Sequence, residues 1–273
     1  MAARKTALVT GASMGLGREY AKLCAADGMD LVLVARSRDK LEALARELEA
    51  AHEITAHVVP ADLDARGAAD QVAEAVSKLG VGVDVLINNA GFGNTGPFVE
   101  ADLAKELSMV HVNIEALVAL THHFARGMVT RGSGRILLVA STAAFQPGPG
   151  MAVYCASKAF VRSFGEALAY ELKGTGVTVT VHCPGATETE FARTAGNDTT
   201  PIFTNKAAVA DAVAVTRHGY AALQRGKRLS VHGFVNNVMA YGAPFTPTSL
   251  TLAIAASLMG FQGTDAKRLS AGG

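Results

Sequence analysis

Tyr154 and Lys158 stand four residues apart. On a helix that spacing puts both side chains on one face, with about 5–6 Å between Cβ atoms. A free phenol titrates near about pH 10 and is a poor proton donor or acceptor at neutrality. A neighbouring ammonium favours the phenolate and lowers that pKa, so the pair suits general acid or base work. Alone, the spacing is weak, because Y-x-x-x-K also arises by chance on solvated helix faces. Its surroundings carry more. Ser141 and a Pro/Gly-rich loop at residues 146–150 come just before it.

The elements around the pair read as alternating strands and helices. The run TALVT at Thr6–Thr10 is a buried strand, followed at once by GASMGLG and a helical pattern from Met14 or Gly15. Strand, glycine turn and helix present backbone N–H groups to a phosphate. The spacing Gly11, Gly15, Gly17 departs from G-x-G-x-x-G, and a plain tight turn is the bland alternative. DLVLVA at Asp30–Ala35 is a second strand, ending in Arg36-Ser37-Arg38. At that strand end an acid bonds a ribose 2′-hydroxyl and an arginine accommodates a 2′-phosphate. The arginines favour NADP(H) over NAD(H), since a guanidinium pairs bidentately with phosphate; otherwise they are solvated loop charges.

Further strands are expected at residues 54–60, 83–87, 135–140, 177–181 and 228–231. Asp62-Leu63 follows the third; Asp62 suits an adenine amino group or the cap of a helix beginning near Ala65. Asn88-Asn89-Ala90-Gly91 follows the fourth, where small residues allow close backbone approach. A long helical region over 100–128 carries Asn113 among apolar residues, the usual mark of a satisfied core amide or a kink. Ser141 ends the fifth strand, and Cys183-Pro184-Gly185 leads from the sixth to Thr187 and Thr189. Residues 190–205 read as a loop suited to a lid, and 207–224 as a helix. The alternation predicts a single-domain, Rossmann-type, doubly wound parallel α/β sheet of about seven strands with helices on both faces. Right-handed crossovers then bring every strand C-terminus to one edge.

Composition narrows the function. The chain has 273 residues, 49% of them hydrophobic, and a net charge of +1. That supplies a large core and no basic block for nucleic acid. Cys24, Cys155 and Cys183 are odd in number and scattered, which fits thiols in a reducing, cytoplasmic setting. No spacing suggests a metal site, no apolar core of a secretory signal opens the chain, and no run reaches a membrane span. Residues 1–232 form the predicted dinucleotide-binding and catalytic domain, and 233–273 an apolar extension. The extension fits a flap over the substrate, an oligomer contact or a membrane-surface helix, the last disfavoured by its lack of a basic face.

The set TGASMGLG (10–17), NNAG (88–91), Asn113, Ser141, YCASK (154–158) and CPGATET (183–189) resembles the short-chain dehydrogenase/reductase family, in its usual order. Ser141 lies 13 residues before Tyr154, as that family's serine usually does. The resemblance implies that Tyr154 is the general acid or base at the substrate oxygen. Lys158 would bond the nicotinamide ribose and lower the tyrosine pKa, Ser141 would hold the substrate oxygen, and Asn113 would anchor a water leading to Lys158. Gly11, Ser13, Met14, Gly15, Leu16 and Gly17 would surround the pyrophosphate. Asp62 and Leu63 would meet adenine; Asn89, Ala90 and Gly91 its ribose region; Pro184, Gly185, Thr187 and Thr189 the carboxamide and phosphate. Many NADP(H)-using members carry a basic residue in the glycine turn, where this chain has Ser13-Met14, so the cofactor expectation rests on Arg36, with Arg38 beside it. The family reading is NADPH-dependent reduction of an apolar ketone or aldehyde by a homodimer or homotetramer. Phe92, Ala143, Phe145, Met151, Phe191 and Phe203, with the apolar tail, are candidate substrate neighbours and suggest a medium to large apolar molecule. The competing reading is a non-catalytic NADP(H) sensor or scaffold on the same fold.

Overall fold

A computed structural model describes residues 4–196, 200–204 and 209–264. Its frame is a seven-stranded sheet, all parallel, in the order β3-β2-β1-β4-β5-β6-β7. The strands are β1 (Thr6–Thr10), β2 (Asp30–Ala35), β3 (Ala56–Pro60), β4 (Val83–Asn88), β5 (Gly134–Val139), β6 (Val177–Cys183) and β7 (Leu229–Val231). Strands covered on both faces need apolar residues in succession rather than in alternation. Every residue of β1 is buried accordingly.

Helices α1 (Gly15–Ala26), α2 (Arg38–His52) and α3 (Ala68–Lys78) follow the first three strands. In α2 the stripe Leu41, Leu44, Ala45 and Leu48 is buried, the i, i+3, i+4, i+7 pattern of a helix on a sheet. The α3 start differs from the sequence expectation. Arg66 is followed by Gly67 in the left-handed region (φ 71°), so the helix begins at Ala68 rather than near Ala65. Asp62 therefore does not cap it; its Oδ1 accepts the Asp64 N–H at 3.2 Å.

The long helical region expected over 100–128 is segmented. A 3₁₀ turn at Phe98–Glu100 precedes α4 (Leu103–Val110), whose Asp102 N-cap accepts the Ala104 N–H at 2.9 Å. A π-helical turn at His111–Ala116 then leads into α5 (Leu117–Arg131). Asn113 sits within that π turn, so it is both the kink and the satisfied amide that its sequence setting suggested. After β5 comes α6 (Ala152–Glu171). The region expected to be a loop holds two short helices, α7 (Phe191–Ala195) and α8 (Pro201–Thr204), while residues 197–199 and 205 lie outside the described residues. Helix α9 (Ala212–Gln224) starts later than expected, because Asp211 caps it by accepting the Ala214 N–H at 2.8 Å. Residues 207–208 lie outside the described residues. The chain continues through α10 (Phe234–Gly242) and α11 (Thr248–Met259).

Two apolar layers clamp the sheet. One joins Leu8, Leu86, Ile136 and Val181 to residues of α3, α5 and α6; the other joins Val9, Leu33, Ile87 and Leu137 to α1, α2 and α9. Truncating such a residue, as in Leu8→Ala, costs about 2–5 kcal/mol. Strand order reverses between β1 and β4, which are direct neighbours. Open parallel sheets bind ligands outside the strand ends at that reversal.

Candidate active site

The strand ends surround a cavity of about 630 Å³. At its floor, Thr10 joins the two sides of the reversal. The Thr10 hydroxyl accepts the Asn89 N–H at 3.0 Å and the Ala90 N–H at 2.9 Å, while Asn89 Nδ2 donates to Thr10 O at 3.0 Å. Gly11 turns away with φ +66° and Gly15 with φ +54°. A Cβ on Gly17 would collide with the Gly11 carbonyl. The turn can thus be held this tightly only by glycine. Helix α1 opens with no side-chain cap and no acid in its first turn, leaving its N–H groups and positive end available to an anion. Thr189 lies across from it, close enough to contact a Cβ on Gly15 at 3.5 Å. These features fit a dinucleotide pyrophosphate.

Of the expected cofactor residues, Gly11, Ser13, Met14, Gly15, Leu16, Arg36, Asp62, Leu63, Asn89, Ala90, Gly91, Pro184, Gly185, Thr187 and Thr189 line this cavity. Gly17 lies behind the turn as its packing contact. Arg38 is absent from the wall; it sits on α2, 3.6 Å from Glu42. Arg36 is exposed at the wall and has no ion-pair partner among the described residues.

Tyr154, Lys158 and Ser141 share the same cavity. Ser141 stands beside Tyr154, where its hydroxyl acts to lower the phenol pKa. Ser141 ends β5, accepts the Ala143 N–H at 3.1 Å and donates to Pro184 O at 3.5 Å. Lys158 is buried, and its Nζ donates to Val139 O at 2.9 Å. The ammonium lies 5.9 Å from the Tyr154 ring centroid. Contrary to the sequence expectation, the dominant influence on the phenol is not the lysine. Burial raises the Tyr154 pKa, opposed by the nearby Ser141 hydroxyl. Burial also lowers Lys158 to about 8, with nearby Cys183 opposing it. The phenol is thereby kept protonated, as a donor.

Asn113 is wholly buried and off the cavity wall. Its Nδ2 donates to Phe92 O and Ser157 Oγ, each at 3.0 Å, and its Oδ1 accepts the Phe92 N–H at 3.1 Å. Its side chain is a brace between the β4 loop and α6. Gly91 is required beside it, since a Cβ there would stand 2.8 Å from Asn113 Oδ1 and 3.3 Å from Lys158 Nζ.

The surroundings of Tyr154 are apolar. Met109, Met151 and Cys155 are buried with it, and Phe92, Ala143, Val153, Phe191 and Met259 pack against them. Phe203, Ala255 and Leu258 also line the cavity. Phe145 does not: its ring lies 4.1 Å from the Arg162 guanidinium. Cys155, given no role from sequence, is on the wall, with burial pushing its thiol up to about 11. Thr10 and Ser157 were missed by sequence reasoning, although a threonine directly before the glycine turn and a serine between Tyr154 and Lys158 were available signals. The apolar tail was expected near the substrate, and α11 supplies Ala255, Leu258 and Met259 to the wall.

A family model described as short chain dehydrogenase matches residues 5–200. The chain is 37% identical over 208 residues to sulfoacetaldehyde reductase 2 of Chromohalobacter salexigens, covering 71% of this chain and 82% of that one. It superposes on a short-chain dehydrogenase from Sphingobium yanoikuyae in complex with NADPH with a TM-score of 0.79 and 30% identity, covering 88% and 93% of the two chains. A bulky-bulky ketone specific alcohol dehydrogenase from Comamonas testosteroni gives a TM-score of 0.74 and 30% identity, covering 84% and 86%.

Proposed function

The chain belongs to the short-chain dehydrogenase family, an oxidoreductase family, and from that premise we propose that it reduces an apolar ketone or aldehyde with NADPH. The observation that carries this reading is Tyr154, buried among apolar side chains on the cavity wall with Ser141 beside it. When bound, the reduced nicotinamide supplies the hydride for the carbonyl carbon. As negative charge grows on the substrate oxygen, Tyr154 donates its proton and Ser141 donates a hydrogen bond. The Lys158 ammonium, held by Val139 O, adds a positive potential beneath them.

Support for NADPH comes from Arg36 at the cavity wall, with no competing carboxylate at the end of β2. Support for an apolar substrate comes from the side chains packed around Tyr154. We also infer self-association, with the helices bearing Asn113 and Tyr154 pairing across the contact. The experiment is a panel of aliphatic, aryl and polycyclic ketones and aldehydes, with sulfoacetaldehyde included, followed through cofactor absorbance. Bulky apolar carbonyls should be reduced in preference to sulfoacetaldehyde, and with NADPH in preference to NADH. In Arg36→Asp the NADPH preference should fall at least about tenfold, the loss of a charge-assisted pair. A cofactor ratio unchanged by Arg36→Asp would remove Arg36 as the selector. Preferred turnover of sulfoacetaldehyde would refute the apolar substrate.

A further inference from the structure

A second cavity of about 210 Å³ lies behind Met151, the side chain common to both cavities. Its walls come from the loop after β4, the loop before α6, helix α4 and the segment after α11. Val153 and Phe261 make part of it apolar. Asn94 and Glu106 do not. Glu106 is only 7% exposed, yet it lines this space. Asn94 Nδ2 donates to Glu106 Oε1 at 2.7 Å. Among the described residues no other side chain donates to this carboxylate and no lysine or arginine pairs with it. Its second oxygen is not sealed from the cavity, and each carboxylate oxygen can accept two hydrogen bonds.

Met151 stands between the two cavities. It is buried, and a thioether side chain has three rotatable bonds and adapts to irregular space. Its Cε packs against Gly93, where a Cβ would stand 3.2 Å away. For one ligand to reach from Tyr154 to Glu106 and Asn94, the Met151 side chain must shift from between the cavities.

We propose that this second cavity is a distal subsite for an elongated substrate, binding a hydrogen-bond-donating end group, an ammonium or a hydroxyl, through Glu106. This rests on the reading that the first cavity holds an apolar carbonyl compound. The substrate is then bifunctional: a carbonyl at Tyr154, an apolar middle past Met151, and a donor at the far end. An end group that replaces water at Glu106 gains a charge-assisted hydrogen bond, whereas a terminal methyl leaves the carboxylate unpaired.

The test is calorimetric titration of the full chain, with NADPH present, using straight-chain primary alcohols from hexanol to dodecanol. Each length is compared with a far end of methyl, hydroxyl or ammonium. Such alcohols bind without turnover beside reduced cofactor, so the result does not depend on catalysis. Reduction of the matching unsubstituted aldehydes, measured separately, reports on the reaction itself. At one or more of the longer lengths the hydroxyl- or ammonium-ended ligand should bind at least about tenfold more tightly than the methyl-ended one. Glu106→Gln, which keeps an oxygen for Asn94, should erase the ammonium preference. Val99→Trp fills the same cavity from an exposed position and should erase both preferences. Equal affinity for the three end groups at every length overturns the proposal, as does an ammonium preference that survives Glu106→Gln.

Discussion

At the scale of single residues, burial and charge compete at Tyr154, and burial is the stronger. The sequence places a cation four residues away, which suggests a depressed phenol pKa. The fold instead sends the Lys158 ammonium to Val139 O and surrounds the phenol with methionine and phenylalanine side chains. The residue types were legible, but their balance was not, since desolvation depends on neighbours far apart in sequence. The same burial makes a prediction for Lys158. Its pKa is lowered to about 8, so the side chain is charged below that pH and neutral above it. The kcat/KM for NADPH, which reports groups of the free enzyme, should fall as pH rises through about 8. A profile flat across that range would remove the charged lysine from the mechanism.

At the scale of elements, the strands were the most legible part. Parallel strands buried on both faces appear as apolar runs, and Thr6–Thr10 and Asp30–Ala35 match the sequence reading at both ends. Helix starts were less legible. The α3 start is set by the left-handed Gly67 and the α9 start by the Asp211 cap, and both outweigh helical periodicity nearby. The glycine turn was legible as a motif, but its purpose divides by residue. Gly11 and Gly15 shape the cavity, while Gly17 lets α1 approach the turn. Gly17→Ala should therefore abolish NADPH binding by calorimetry and lower the melting temperature. Gly242→Ala is the matched control: among the described residues nothing lies within 4 Å of its Cβ position, and its φ is −80°. It should leave binding intact and shift stability by no more than about 1 kcal/mol, the propensity difference between the two residues. Unimpaired binding in Gly17→Ala would contradict this reading of the turn.

At the scale of the whole molecule, the sheet gathers residues from six strand ends into one cavity, which is why the scattered motifs were readable together. The tail was not readable in that way. Its α11 turns Ala255, Leu258 and Met259 toward the cavity, while Leu250 and Ile254 stay exposed. The uniformly apolar sequence of this helix gives no sign of which face is inward. Exposed apolar groups also occur on α4 and α6, with Leu103 at 61%, Leu107 at 50% and Phe160 at 40% exposure. Such groups fit the proposed self-association. Sedimentation velocity at micromolar protein should show a dimer or tetramer, and a monomer throughout would refute it. The account's central claim is that the whole chain reduces a carbonyl compound with a proton from Tyr154. Its most direct test is Tyr154→Phe, assayed for ketone-dependent NADPH consumption alongside NADPH affinity. Turnover should drop by about 10²–10⁴-fold with cofactor affinity retained; turnover equal to that of the unmodified chain would contradict the claim.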